Sequence, residues 1–142
     1  MNITPYIRKP HFYETDQMGV IYHGNYIRWF EEARVDFMDK MGFGYDRAEA
    51  LGISFAVLHV SCDYKSMVRF GDTVQIETRI TAFSAARMTV SYRITDAVTG
   101  ELRTTGESRH CYVHREKGPI SLKKHMPELY ELFSANVIPA EE

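Results

Sequence analysis

Residues 12–41 read FYETDQMGVIYHGNYIRWFEEARVDFMDKM, a polar loop that runs directly into an amphipathic helix. Large apolar side chains recur there at steps of three and four, which places them on one helical face. They are Tyr26, Phe30, Ala33, Phe37 and Met41. The pattern predicts a helix from about Tyr26 to Met41, with Asn25 as its N-cap and Gly42 in the left-handed conformation that ends it.

The loop places two chemically versatile side chains, Asp16 and His23, immediately before this helix. The first N–H groups of a helix have no partner within it, and the helix dipole adds to their attraction for negative charge. Such donors can stabilise a developing oxyanion, so the loop is a candidate reaction site. The structural alternative is that Asp16 closes a turn and that His23 is held by its neighbours at the helix entry.

The composition indicates a single domain over residues 1–142, because 142 residues that are 44% hydrophobic suit one core. A net charge of −2 argues against nucleic acid as a partner, since that binding neutralises phosphates. The sequence shows neither a secretory leader nor an apolar run long enough to span a membrane. We therefore expect a cytoplasmic protein in which Cys62 and Cys111 are free thiols in the core.

Elements on both sides of the central helix follow from hydrophobic periodicity and turn residues. They are a strand over residues 3–13 that Pro5 and Pro10 interrupt, a short helix over 44–52 with Asp46 as its cap, strands over 54–68, 73–83, 88–97 and 102–115, and a helix over 123–133 before a loose end. In the strand over 54–68, alternation places Cys62 and Phe55 on opposite faces.

One long helix followed by about four antiparallel strands predicts an α+β architecture in which the sheet wraps around the helix. A single layer of this kind leaves an edge strand and one sheet face poorly covered, so we expect self-association. Glu31 and Glu32 fall mostly outside the apolar face of the helix, and we expect them to be solvated or in local ion pairs.

The segment from Tyr13 to Tyr26, YETDQMGVIYHGNY, resembles the signature of the 4-hydroxybenzoyl-CoA thioesterase family. More narrowly, it is similar to the bacterial acyl-CoA thioesterases of the Tol-Pal-associated type, which have His rather than Tyr at the position of His23. The resemblance covers nearly the whole chain, including the turn Phe70-Gly71-Asp72. It implies the hot-dog fold, assembly as a homodimer or homotetramer, and active sites at subunit interfaces.

The resemblance also implies a mechanism for hydrolysing acyl-CoA without a metal or any other cofactor. Asp16 is expected to act as the nucleophile or the general base, while the backbone N–H of His23 polarises the thioester carbonyl. The expected substrate contacts are Tyr22, Gly24 and Arg87. Arg87 is the only cation in the loop over residues 84–87, which corresponds in position to the family's loop near coenzyme A.

Two other functions stay open. A hot-dog hydratase or dehydratase usually has a His five positions after its Asp, but Ile21 occupies that position here and His23 is seven positions away. A module that binds acyl-CoA without hydrolysing it is the second alternative. A zinc site at His110 and His114 is a poor fit, because strand geometry separates them by ~13 Å. The acyl group and the choice between acyl-CoA and acyl-carrier-protein do not follow from the sequence.

Overall fold

The computed structural model describes residues 2–140, which form one antiparallel sheet packed against a long helix. The strands are β1 (Tyr6–Arg8), β2 (Ile53–Tyr64), β3 (Val74–Phe83), β4 (Arg87–Asp96), β5 (Leu102–His114) and β6 (Gly118–Pro119). The helices are α1 (Asn25–Met41), α2 (Tyr45–Ala50), α3 (Leu122–His125) and α4 (Pro127–Ala135), and a 3₁₀ turn spans Phe12–Glu14. The strand order is β1-β3-β4-β5-β2, with β6 beside β5, and the predicted α+β architecture is confirmed.

Helix α1 buries its apolar face against the sheet, and Trp29 and Phe30 at its centre are fully buried. Its predicted end is confirmed, because Gly42 adopts a φ of 94°. Its predicted beginning is wrong. Gly24 is the N-cap, and Asn25 is the first helical residue, whose side-chain amide donates to the carbonyl of Glu14 at 2.8 Å.

The helix approaches the sheet closely at one glycine. A Cβ added to Gly106 in β5 would lie 2.4 Å from the ring of Phe30. That ring also stacks on Tyr92 of β4, with centroids 4.3 Å apart. Gly106 therefore sets the distance between helix and sheet, because any side chain at this position would push the helix away.

Strand β2 departs from the predicted alternation at an extra residue, Leu58, where its pairing with β5 shifts. Phe55 pairs with Tyr112, and Cys62 pairs with Gly106. Paired residues share a face, and the two partners are an even number of positions apart, so Phe55 and Cys62 face the same side. The prediction of opposite faces is wrong, because the bulge rotates the second half of the strand.

Two predicted element boundaries at the start of the chain and after α1 differ from the structure. The first strand is shorter than predicted, since β1 spans only Tyr6–Arg8. Helix α2 has Gly44 as its N-cap, whereas the predicted cap, Asp46, lies within the first turn. Its carboxylate accepts the N–H of Arg47 at 2.9 Å. The local acidic residue therefore stabilises the helix start from inside it.

The C-terminal segment is more ordered than predicted. The helix divides at Met126 into α3 and α4, and Pro127 is the first residue of α4, as expected. Beyond it, Val137 bridges to Ile80, and the N–H of Ile138 donates to the carbonyl of Ile80 at 2.8 Å. The prediction of a loose end is wrong for these two residues, and residues 141–142 lie outside the described part.

Candidate active site

The loop before α1 folds back on itself and fixes the position of Asp16. Thr15 forms a bridge with Ile21, and the N–H of Asp16 donates to the carbonyl of Val20 at 2.9 Å. Gly19 makes the turn at a φ of 75° and donates its N–H to the carbonyl of Asp16 at 3.0 Å. Asp16 is thus attached at both its main-chain N–H and its carbonyl, and its side chain projects from a short, closed hairpin.

The Asp16 side chain is half-buried and retains a free carboxylate oxygen. Its Oδ1 accepts the N–H of Met18 at 2.8 Å, which is the turn that the structural alternative predicted. Its second oxygen accepts no hydrogen bond from any residue in the range 2–140. The turn therefore orients the carboxylate and leaves one oxygen free to take a proton or attack an electrophile.

The start of α1 presents unpaired main-chain donors. The N–H of Tyr22 donates to the carbonyl of Glu14, and the N–H of Asn25 donates to the carbonyl of Tyr22, both at 2.9 Å. Between them, the N–H groups of His23 and Gly24 have no acceptor within the described part of the chain. Both groups precede a helix of 17 residues, whose dipole increases their attraction for negative charge.

Asp16 and His23 line one open surface crevice of about 260 Å³. Its other lining residues come from the loop, the first turn of α1 and the end of β2: Val20, Ile21, Tyr26, Tyr64, Lys65, Ser66 and Met67. The structure therefore brings together the two residues that the sequence singled out. Apart from Asp16, His23, Lys65 and Ser66, the walls are apolar or aromatic, which suits a substrate with an apolar portion.

Tyr64 is a residue of the crevice that sequence reasoning missed. Its hydroxyl donates to the main-chain carbonyl of His23 at 2.8 Å, and its ring meets that of Tyr26 edge to face, with centroids 5.2 Å apart. Partial desolvation is the main cause that raises the pKa of Tyr64 to about 12, so the hydroxyl is neutral. An aromatic residue at the end of the long strand was the only signal in the sequence.

Tyr22 and Gly24 flank His23 in the chain and contact each other. A Cβ added to Gly24 would be 2.7 Å from the ring of Tyr22, so the glycine makes room for that ring. Tyr22 also packs on the exposed imidazole of His23, with ring centroids 4.3 Å apart. Of these three residues, only His23 lines the crevice, so the structure does not place the predicted substrate contacts Tyr22 and Gly24 on its walls.

Arg87 is not near the crevice within one chain. It pairs with Cys111 of β5, whereas Tyr64 pairs with Thr104 of the same strand. The path from residue 104 to residue 111 is about 24 Å at the rise of an antiparallel strand. Arg87 is exposed at the opposite end of the sheet, so the structure does not bring it together with Asp16 and His23 within one chain.

The other chemically capable side chains are structural. His110 is fully buried, and its Nε2 hydrogen-bonds to Ser108 at 2.7 Å. His114 accepts the N–H of Glu116 at 3.1 Å through its Nδ1. Both cysteines are free thiols, and burial raises the pKa of Cys62, which disfavours the reactive thiolate. Residues 2–140 contain no group of three or more side chains placed to hold a metal ion.

The prediction that Glu32 is solvated or in a local ion pair is wrong. Glu32 forms an ion pair with Arg8 at 2.8 Å and accepts the hydroxyl of Tyr6, also at 2.8 Å. Its partners are therefore distant in the sequence rather than local. Glu31 is exposed, as predicted. Among the described residues, no helix is both long and apolar enough to cross a membrane.

A fold of this kind, with a carboxylate beside unpaired amides at the start of its long helix, is that of the hot-dog thioesterases. The chain belongs to the thioesterase-like superfamily, whose family model matches residues 10–134. It is accordingly an enzyme of the thioester hydrolase class, and the predicted hot-dog fold is confirmed.

Individual relatives agree with this assignment. The structure of a DHNA-CoA thioesterase from Staphylococcus aureus superposes with a TM-score of 0.89 at 34% identity, covering 93% of this chain and 89% of the other. A candidate acyl-CoA thioesterase of Bacillus subtilis, YneP, is 31% identical over 84% of this chain and 87% of its own. The acyl-CoA thioester hydrolase YbgC of Escherichia coli is 28% identical over 61% of this chain and 65% of its own.

Proposed function

We propose that this protein hydrolyses acyl-CoA thioesters to a free acid and CoA, with Asp16 as the base or nucleophile. The observation that supports the proposal is that Asp16, with a free carboxylate oxygen, and His23, at the start of α1, line the same crevice. The N–H groups of His23 and Gly24 have no acceptor among the described residues and are available to a thioester oxygen. A thioester whose carbonyl oxygen lies against those amides would present its carbonyl carbon to the carboxylate side.

In the general-base form of the reaction, Asp16 removes a proton from water as the water oxygen attacks the carbonyl carbon. The N–H groups of His23 and Gly24 stabilise the resulting oxyanion. The carbon–sulfur bond then breaks, the acid is released, and the CoA thiolate takes up the proton that Asp16 received. A general base contributes on the order of 10²–10⁴-fold and one oxyanion donor on the order of 10²–10³-fold. Since a thioester is already electrophilic, these two terms are sufficient.

In the nucleophilic form, Asp16 itself attacks the carbonyl carbon and expels the CoA thiolate, giving a mixed anhydride. Water then hydrolyses the anhydride and regenerates the carboxylate. The two forms differ in the fate of the water oxygen. When water attacks the aspartyl carbon of the anhydride, solvent oxygen enters Asp16. A single turnover in ¹⁸O-water that labels the Asp16 peptide, detected by mass spectrometry, therefore establishes the nucleophilic form.

The imidazole of His23 has a secondary role in this proposal. It is exposed, contacts the ring of Tyr22 at a tilt of 43°, and accepts or donates no hydrogen bond within the described residues. The contribution of this position to catalysis therefore comes mainly from its backbone N–H. The side chain shapes the entrance to the crevice and helps to orient substrate or water.

We also propose a homodimer or homotetramer in which the crevice is completed by a second copy. Strand β2 is at the edge of the sheet, and its central residues Val57 and Leu58 are about half exposed. An apolar edge strand of this kind favours pairing with another strand. Arg87 of one copy is then available to contact the CoA phosphates held at the crevice of another, which a single chain does not allow.

The finer placement of the protein is part of the same proposal. The segment from Tyr13 to Tyr26 and the His at position 23 support the 4-hydroxybenzoyl-CoA thioesterase family, Tol-Pal-associated type. A cytoplasmic location is proposed together with this placement. The DHNA-CoA thioesterase among the relatives favours an aromatic acyl group as a second candidate substrate. The aromatic walls formed by Tyr26 and Tyr64 are compatible with it.

The test is a thiol-release assay across short, medium, long and aromatic acyl-CoAs. The proposal predicts release of free CoA, with the rate reporting which acyl group fits. Binding of acyl-CoA by calorimetry without CoA release would favour the non-catalytic module. Addition of water to an enoyl-CoA, with the thioester retained, would favour the hydratase. The same assay with acyl-carrier-protein thioesters shows whether the enzyme acts on acyl groups carried by CoA or by the carrier protein.

A further inference from the structure

The carboxylate of Glu14 is buried two residues before Asp16 and is only 4% exposed. It accepts hydrogen bonds from Arg8 Nη1 at 2.7 Å, Arg8 Nη2 at 3.0 Å, the N–H of His11 at 2.7 Å and Trp29 Nε1 at 2.8 Å. Both carboxylate oxygens are therefore bound, and the side chain has no capacity left for substrate. It connects β1, the 3₁₀ turn and the second turn of α1.

The main-chain carbonyl of the same residue holds the reactive loop. It accepts the N–H of Tyr22 at 2.9 Å and the side-chain amide of Asn25 at 2.8 Å. His23 and Gly24, whose N–H groups are unpaired, lie between these two donors in the chain. Asp16 follows two residues after the carbonyl. Glu14 thus holds the His23–Gly24 end of the loop through hydrogen bonds, and it is two residues from Asp16 at the other end.

We propose that Glu14 is a positioning residue for thioester hydrolysis, which fixes the Asp16 carboxylate relative to the N–H groups of His23 and Gly24. The expected change in kcat rests on the proposed function. The expected effect on the order of the loop does not, because the hydrogen bonds of Glu14 hold the loop whether or not a thioester is bound.

The charge of Glu14 is essential to this role. Burial acts to raise the pKa of its carboxyl, but hydrogen bonds from His11, Arg8 and Trp29 outweigh burial, so the pKa is lowered and the group is ionised. Replacement by glutamine preserves the size of the side chain. It removes the charge that binds both Nη atoms of Arg8, and it places an N–H₂ group opposite donors.

Glu32 provides a matched control. It accepts the same guanidinium, from Arg8 Nε at 2.8 Å and Arg8 Nη2 at 3.3 Å, but it has no hydrogen bond to Trp29 or to the loop over residues 15–22 within the described part of the chain. Glu14→Gln and Glu32→Gln each remove one carboxylate charge from the same arginine. Only Glu14→Gln disturbs the connection to the reactive loop.

The first measurement is kcat and KM for thiol release by both variants, at a temperature where urea titration shows each to be fully folded. A displacement of about 1 Å at a reacting group costs on the order of 10²-fold. We expect kcat of Glu14→Gln to fall by roughly 10–100-fold with KM within about threefold, and Glu32→Gln to keep kcat within about threefold. Equal kcat in Glu14→Gln and the wild-type enzyme would overturn the proposal.

A second readout needs no activity. Trp29 is the only tryptophan of the chain, so its fluorescence reports the Glu14 contact directly. We expect Glu14→Gln to change the Trp29 emission and to accelerate hydrogen–deuterium exchange over residues 15–24, while Glu32→Gln changes neither. Unchanged emission and exchange in a folded Glu14→Gln would contradict the positioning role.

Kinetics together with fluorescence and exchange distinguish failure of the proposed function from failure of the positioning role. If the wild-type protein releases no thiol but Glu14→Gln shows the fluorescence and exchange changes, the proposed function fails and Glu14 still positions the loop. If the wild-type protein is active and Glu14→Gln shows neither a kinetic nor a structural change, the positioning role fails alone. Should Glu14→Gln not fold, Trp29→Phe removes one of the donors to Glu14 while keeping an aromatic ring. This variant contains no tryptophan, so its readouts are thiol release and hydrogen–deuterium exchange over residues 15–24, and an unchanged kcat with unchanged exchange would overturn the positioning role.

Discussion

The hydroxyl of Tyr64 donates to the main-chain carbonyl of His23 at 2.8 Å. This bond joins the end of β2 to the residue whose N–H is the proposed oxyanion donor. Both peptide groups that flank His23 are restrained. The hydroxyl of Tyr64 binds the carbonyl of the peptide between His23 and Gly24, and the N–H of Asn25 binds the carbonyl of the peptide between Tyr22 and His23. The crevice is formed by elements far apart in the sequence, and its donors are already aligned before substrate binds.

Tyr64→Phe removes this bond and preserves the ring. A single neutral hydrogen bond contributes about 1 kcal/mol, so we expect the free energy of unfolding to fall by no more than about that amount. We expect kcat to fall by roughly 3–30-fold, because the proposed oxyanion donor loses one restraint. Tyr112→Phe is the control, since Tyr112 donates to the carbonyl of Ser84 at 3.1 Å outside the crevice. Equal effects of the two variants on kcat would contradict a role for the Tyr64 bond.

His23→Ala tests whether the backbone or the imidazole matters. The variant keeps the N–H and removes an exposed ring, so we expect kcat to fall much less than in Asp16→Ala. A loss of about tenfold or less is consistent with the backbone role, whereas loss of a general base costs on the order of 10²–10⁴-fold. If His23→Ala loses more activity than Asp16→Ala, the imidazole is the important group.

His110 predicts how stability depends on pH. Burial and the charge of Arg34 lower its pKa from 6.5 to about 4 in the folded protein. Between these values the unfolded chain binds more protons, so stability is present above pH 6.5 and is lost as pH falls toward 4. His110 alone should make the free energy of unfolding, measured by urea titration, lower at pH 4.5 than at pH 7.5 by on the order of 2 kcal/mol.

The control for this measurement is the exposed His59. His110→Gln should remove a large part of the difference between the two pH values, and His59→Gln should leave it unchanged. If the wild-type protein and His110→Gln lose the same stability on acidification, buried neutral His110 is not the cause.

Gly106→Ala tests the close approach of helix and sheet. The new methyl group would overlap the ring of Phe30, so the helix must shift, at a cost of about 1–3 kcal/mol in the free energy of unfolding. Combining it with Phe30→Leu removes the ring that causes the overlap. We expect the double variant to be less destabilised than the sum of the single variants. If the destabilisation of the double variant equals the sum of the two single variants, the contact between position 106 and the Phe30 ring does not limit packing.

The long helix and the long strands were predictable because their hydrophobic periods are regular over many residues. The end of α1 at Gly42 was predictable for a similar reason, since a left-handed residue there needs glycine. Asp16 and His23 could be proposed as partners because both immediately precede the helix. The structure places both on one crevice, and the catalytic roles of the two residues stay predictions.

The features that could not be predicted depend on long-range contacts. Asn25 is a good N-cap by its local sequence, but the carbonyl of Glu14 recruits its side chain across 11 positions. The bulge at Leu58 has no marker in the sequence of β2, and it rotates the half of the strand that ends in Tyr64. Arg87 does not line the crevice within one chain, and its predicted contact with substrate stays a prediction that depends on the proposed assembly.

The carboxylate of Asp16 is the reacting group of the proposed hydrolysis, and Asp16→Asn removes its ability to react. Asparagine retains the size of the side chain and an oxygen for the N–H of Met18, but cannot take up a proton from water or form an anhydride. Asp46→Asn is the control, because Asp46 also accepts a nearby main-chain N–H and is not part of the crevice. With the best acyl-CoA of the thiol-release assay, we predict that Asp16→Asn folds normally and loses at least about 10²-fold in kcat, while Asp46→Asn keeps it. An unchanged kcat in Asp16→Asn would contradict the account.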